Sequence, residues 1–149
     1  MTEKYHLVET GRLVLRPFTP ADAQALCGLM APPEVRRYLP TTVPYTLERV
    51  EKYIAAQDWH WQTYFCGWWA AERKGAPGLV GWGGQQYLPD TQEYEVGYVI
   101  GKPCWGLGYA TELATAALDF GFNQLALIEI IGLTHPDNSA SRRILEKSA

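Results

Sequence analysis

The stretch that most limits what this chain can fold into is "KPCWGLGYATE", residues 102–112. Gly106 and Gly108 stand two apart, Ala110 follows, and an Ala- and Leu-rich helical pattern runs on to about Phe122. Bare backbone at a helix start suits an anion. The first N–H groups have no partner inside the helix, and the helix dipole favours negative charge there. A glycine turn without a ligand would look the same. A dinucleotide fingerprint, G-x-G-x-x-G, needs a third glycine where the chain has Thr111, and it should follow the first strand of a βαβ unit. Here the loop comes after a run of hairpin strands, and Glu129, near the spacing of a ribose-binding acid, sits inside an apolar run. A Walker-type loop is excluded because no G-K-[ST] is present.

The surrounding pattern supplies the frame. "RLVLRPF" (12–18) alternates, with Leu13, Leu15 and Pro17 on one side and Arg12, Val14, Arg16 and Phe18 on the other, as a strand does. Thr19, Pro20 and Asp22 form a helix-start signature, and that helix ends before Pro32 and Pro33. Thr46 caps a second helix over 47–62, with Leu47, Val50, Tyr53 and Ile54 at helical spacing. Segments 64–73 and 78–88, joined by "KGAP", read as a hairpin, and 93–101 as a further strand. After the glycine-loop helix, "LALIEIIGL" (125–133) reads as a fully buried strand, and Asn138 caps a last helix over 139–147 with Ile144 and Leu145 inward. The order β-α-α-β-β-β-α-β-α predicts an α+β fold with a mixed sheet, in a single domain spanning 1–149.

Composition narrows the function. With 47% hydrophobic residues the chain can bury a core, and a net charge of −3 gives no electrostatic footprint for nucleic acid. Cys27, Cys66 and Cys104 are odd in number and lack metal spacing, so they read as reduced thiols without a metal site. There is no signal-peptide pattern and no apolar run of about 18 residues, so no membrane is implied and a cytoplasmic protein is expected.

The third reading of the loop is a cradle for the pyrophosphate of coenzyme A, lined by N–H groups from Gly106 through Thr111. Here the chain resembles the GNAT superfamily of N-acyltransferases, and within it the branch of ribosomal-protein N-terminal acetyltransferases. "ETGRLVLRPFTPADAQAL" (9–26), "EVGYVIGKPCWGLGYATE" (95–112) and "HPDNSASRRILEK" (135–147) carry the resemblance, with "YLPTTVPYTLERVEKYI" (38–54) as a weaker match. It implies the GNAT fold and acetyl-CoA as cosubstrate. By the same resemblance, Gly106, Leu107, Gly108, Tyr109, Ala110 and Thr111 are expected to bind the pyrophosphate, with Trp105 standing where many members have Gln or Arg. It likewise implies that Tyr98, Val99 and Ile100 offer backbone groups to the pantetheine arm, that Asn138 bonds the arm, and that Ser141 lies near the departing sulfur.

The expected chemistry is direct transfer of acetyl to an amine, either a protein N-terminus or a small molecule. A base takes the amine's proton, a strand N–H such as that of Val99 stabilises the oxyanion, and a hydroxyl protonates the thiolate. Some members of the family carry a Glu on the fifth strand as base; that position is Leu133 here. The candidates left are Glu95, Glu93 and His135, with Glu95 favoured because it sits nearer the point where strands four and five should separate. Trp59 and Trp61, near the end of the second helix, suit an acceptor passage, and the other aromatics suit the core. A non-catalytic acyl-CoA-binding module is the rival from another class. The family continues past this last helix with two more strands, so the apolar 125–133 edge is expected to pair with another strand, as a homodimer or an aggregate.

Overall fold

In the computed structural model, residues 7–39, 45–133 and 138–148 are described. The elements in chain order are β1 (Val8–Glu9), β2 (Leu13–Pro17), α1 (Ala23–Met30), α2 (Pro33–Arg36), α3 (Leu47–Tyr64), β3 (Trp68–Arg73), β4 (Ala76–Leu88), β5 (Glu93–Ile100), α4 (Tyr109–Asp119), β6 (Ile131–Gly132) and α5 (Ser139–Ser148). The strands form one sheet in sequence order, antiparallel from β1 to β5, with β6 parallel to β5. This is the expected mixed α+β architecture. Among the described residues no helix is long and apolar enough to cross a membrane.

Strand alternation divides the core. Leu13, Leu15, Trp69, Ala71, Val96 and Ile100 pack on one face with Tyr109, Leu113 and Ala117 of α4. Phe18, Ala70, Trp68, Trp82 and Val99 pack on the other with Leu26 and Met30 of α1 and Val50 and Ile54 of α3. The helix starts follow the sequence signals. Thr46 accepts from the Arg49 N–H at 3.2 Å. Thr19 and Asp22 form a capping box around a 3-10 turn that leads into α1. Asp22 is further fixed by two 2.8 Å bonds from Arg16, whose Nε also reaches Glu72 at 2.6 Å. This cluster ties β2, β3 and the start of α1 together.

One element departs from expectation. The 125–133 run is not a buried nine-residue strand: only Ile131–Gly132 pairs, opposite Glu95 and Val96. Helix α4 ends in a π-turn over Phe120–Gln124, and Ala126 takes a φ of 55°. Ile128 is 98% exposed and Leu133 64% exposed. Continuous apolar character marks the segment as interior, yet residues 125–130 are irregular, so the long free edge expected to pair two copies is reduced to two residues.

Candidate active site

The glycine loop has the geometry that its sequence promised. Gly106 (φ 77°) and Gly108 (φ 83°) both adopt the left-handed conformation, where a Cβ is strained. Gly108 is the N-cap residue of α4, so the N–H groups of Tyr109, Ala110 and Thr111 open the helix with no intrahelical acceptor. Leu107 and Trp105 are each about half exposed.

A clamp from the start of β2 holds this loop. Arg12 Nη1 donates to the Leu107 carbonyl at 2.9 Å, Arg12 Nε bonds Glu112 Oε1 at 2.8 Å, and the Arg12 backbone N–H bonds Glu112 Oε2 at 2.8 Å. Thr10 Oγ1 donates to the same carboxylate. The guanidinium lies 4.4 Å from the centre of the Tyr109 ring. Burial works to raise the Glu112 pKa, but the bonds from Thr10 and Arg12 outweigh it and hold the carboxyl below its ordinary range. Arg12 thus occupies the carbonyl of the residue that precedes the Gly108 N-cap. Sequence reasoning missed this clamp. Its partners lie 100 residues apart, and nothing local in "TGRL" or "ATEL" pairs them.

Strand β5 carries the remaining groups. Gly101 N–H bonds the Val80 carbonyl at 2.8 Å, and the register runs on as Gly81↔Ile100, Trp82↔Val99 and Gly83↔Tyr98. In an antiparallel ladder the hydrogen-bonded pairs alternate. Val99 therefore turns its N–H and carbonyl to Trp82 of β4, which corrects its assignment as the oxyanion donor and as a backbone contact to a ligand. Tyr98 and Ile100 turn theirs the other way, toward the side where β6 pairs only with Glu95 and Val96. The Ile100 carbonyl on that side is taken by the Trp105 indole N–H at 2.7 Å. Trp105 thus closes the strand end.

Alternation also sorts the side chains. Glu95 shares a face with Val99, the face of α1 and α3. Its Oε1 accepts from Gln86 Nε2 at 3.3 Å, and burial pushes its pKa up. Tyr98 is on the opposite face, where its hydroxyl lies 2.9 Å from Ser141 Oγ and 3.0 Å from the Ser141 carbonyl. Asn138 Oδ1 accepts from the Ser141 N–H at 3.0 Å, the helix cap that its position implied. Tyr98, Asn138 and Ser141 are thus brought together, with Glu95 across the sheet. His135 lies outside the described residues, and Leu133 offers no base. Of the aromatics near the end of α3, Trp61 is core, whereas Trp59 is 60% exposed and available to a solute. Among the described residues no group of His, Cys, Asp or Glu could hold a metal ion.

Comparison with known proteins agrees with this fold. A family profile described as "Acetyltransferase (GNAT) domain" matches residues 12–148. YoaA of Bacillus subtilis, described as an uncharacterized N-acetyltransferase, is 32% identical over 96% of this chain and 81% of its own length. An acetyltransferase crystal structure from Agrobacterium tumefaciens superposes with a TM-score of 0.82 at 26% identity, covering 96% of this chain and 82% of that one. RimL, a ribosomal L7/L12 α-N-protein acetyltransferase solved with coenzyme A, shares the fold, with a TM-score of 0.82 at 15% identity over 95% of this chain and 82% of its own.

Proposed function

The chain belongs to the acetyltransferase (GNAT) family, and from that premise we propose that it moves the acetyl group of acetyl-CoA directly to an amine, with a protein N-terminus or a small amine as acceptor. One observation carries the reading. A helix start with free N–H groups behind two left-handed glycines follows on β5, whose Tyr98 and Ile100 backbone groups turn away from β4 beyond the last β6 pair at Val96.

The residues fit coenzyme A. Gly106 through Thr111 present donors to a pyrophosphate, with Trp105 at the strand end beside them. The backbone of Tyr98 and Ile100 suits a pantetheine arm, together with the donor half of the Asn138 amide. When bound, acetyl-CoA supplies an activated thioester. The Tyr98 and Ile100 N–H groups are the strand donors for an oxyanion. Glu95 takes the amine's proton; burial makes it a stronger base than an exposed carboxylate. Ser141 returns a proton to the sulfur on the opposite face. An α-amine, with a pKa of about 7.7–8.0 against about 10.4 for lysine, is the easier acceptor for a carboxylate base. That argument and the likeness to RimL favour a protein N-terminus.

The test is amine-dependent release of free CoA across N-terminal peptides and polyamines, read by thiol detection. We expect one class to turn over. The Glu95→Gln variant should lose about 10²–10⁴ in kcat/KM, the usual contribution of a general base. The base works deprotonated, so the wild-type rate falls as pH drops through the raised Glu95 pKa, and that limb disappears in the variant. No CoA release with any amine would overturn the proposal. A variant within threefold of wild type between pH 7 and 9 would remove Glu95 as the base.

A further inference from the structure

Tyr98 faces the gap twice. Its backbone turns to the open side of β5, and its side chain crosses to the start of α5, where the hydroxyl meets both oxygens of Ser141. Its pattern of partners exceeds what stability requires. A phenol hydroxyl that leaves water needs one acceptor, and the Ser141 carbonyl at 3.0 Å is sufficient. The second contact, 2.9 Å to Oγ, engages the atom that is to face the sulfur. Ser141 is also held from its other end, since its N–H is bonded to Asn138. A serine hydroxyl ordinarily rotates to suit its surroundings; here the available partners restrict it.

We propose that Tyr98 is a positioning residue for the departure of coenzyme A: its hydroxyl holds Ser141 Oγ in the orientation from which Ser141 protonates the sulfur. This rests on the reading above that Ser141 is the acid. As the amine nitrogen bonds to the acetyl carbon, the carbon–sulfur bond breaks and its electron pair goes to sulfur. Sulfur takes the proton of Ser141 Oγ, water restores that proton, and the proton lost by the amine through Glu95 balances the account. Tyr98 keeps its own proton throughout: the Ser141 carbonyl accepts it in this structure, and as charge builds on Oγ the phenol O–H turns to donate there. Burial, which raises the phenol pKa, keeps it protonated.

The test is a double-mutant cycle on the whole chain with acetyl-CoA and whichever amine turns over. Tyr98→Phe keeps the ring and removes one oxygen, and Ser141→Ala removes the other partner. Each single variant should lower kcat about three- to tenfold, the effect of one net hydrogen bond, with the KM for acetyl-CoA within twofold. The double variant should be no slower than Ser141→Ala alone, because Tyr98 acts only through that hydroxyl. Ser141→Thr, which keeps a hydroxyl, should remain sensitive to Tyr98→Phe. Unfolding midpoints of all the variants separate these effects from loss of the fold. If Ser141→Ala runs at the wild-type rate, Ser141 is not the acid and both readings fall. If Ser141→Ala is slow but Tyr98→Phe is silent, or the two losses multiply, only the role of Tyr98 falls.

Discussion

The two edges of β5 are held very differently. Toward β4 it makes eight consecutive pairs, from Gly81↔Ile100 to Leu88↔Glu93. Toward β6 it makes two, at Glu95 and Val96. The full edge fixes the phase of the strand, and so decides that Tyr98 and Ile100, and not Val99, face the gap. The sparse edge leaves the Tyr98 backbone groups and the Ile100 N–H without a β6 partner, while the Ile100 carbonyl is taken by Trp105. Under the proposed reading, rigidity on one side would let that backbone act as a preorganised site. The glycine loop extends the rigid side, clamped by Arg12 and Glu112, whereas α5, with Asn138 and Ser141, belongs to the sparse side.

A strong test of the rigid edge is Gly83→Ala. A Cβ there would sit 2.5 Å from the Gly97 carbonyl oxygen, 2.5 Å from Leu113 Cδ2 and 2.8 Å from the Tyr98 Cα. Two of these three atoms are backbone in the paired strand and cannot rotate aside. We expect a loss of about 3 kcal/mol, the upper part of the range for overpacking. For a chain of this length that is a fall in thermal midpoint of roughly 6–12 °C. A midpoint within 2 °C of wild type would show slack in the β4–β5 ladder, and the contrast between the edges would break.

Gly108→Val probes the loop with a smaller effect. The residue holds a φ of 83°, and its Cβ would lie 3.4 Å from Arg12 Nη2. A branched side chain there strains the turn and crowds the clamp that aims the N–H groups. Coenzyme A affinity by calorimetry should fall at least tenfold, about 1.4 kcal/mol, in a protein that still folds. Equal affinity in a folded variant would remove the pyrophosphate cradle.

Much of this was legible in the sequence, for local reasons. The alternation of Leu13 and Leu15, the caps at Thr19, Thr46 and Asn138, and the paired glycines each express a short-range rule, and each appears where expected. The failures share a cause as well. The 125–133 run has the composition of a buried strand, but whether it pairs depends on what the rest of the chain offers, and β5 offers two residues. The phase that sets Tyr98 against Val99 is a property of the whole ladder, which the Gly101 N–H bond to the Val80 carbonyl reports. The Arg12–Glu112 clamp and the Tyr98–Ser141 contact join residues 100 and 43 positions apart. No periodicity reports such pairs.

Gly132→Ala is the counterpart on the sparse edge, and its effect should be the smallest. Its Cβ would meet Leu145 Cδ2 at 2.8 Å and Cδ1 at 3.1 Å, the nearer of them equal to the longest of the three contacts at Gly83. Here, however, the obstructing atoms are the far end of a flexible side chain on α5, and the glycine φ lies outside the left-handed region. Leu145 can turn aside, and replacing glycine by alanine lowers the entropy of the unfolded chain by about 0.4–1 kcal/mol. The two terms oppose each other, so stability should change by less than about 1 kcal/mol and the midpoint by no more than about 4 °C. Coenzyme A affinity should hold, because the loop is untouched, whereas kcat should shift modestly as α5 adjusts and carries Ser141 with it. If Gly132→Ala instead costs as much as Gly83→Ala, β6 and α5 are packed as firmly as the ladder. The gap beside Tyr98 would then be a preformed slot rather than an edge that the ligand completes.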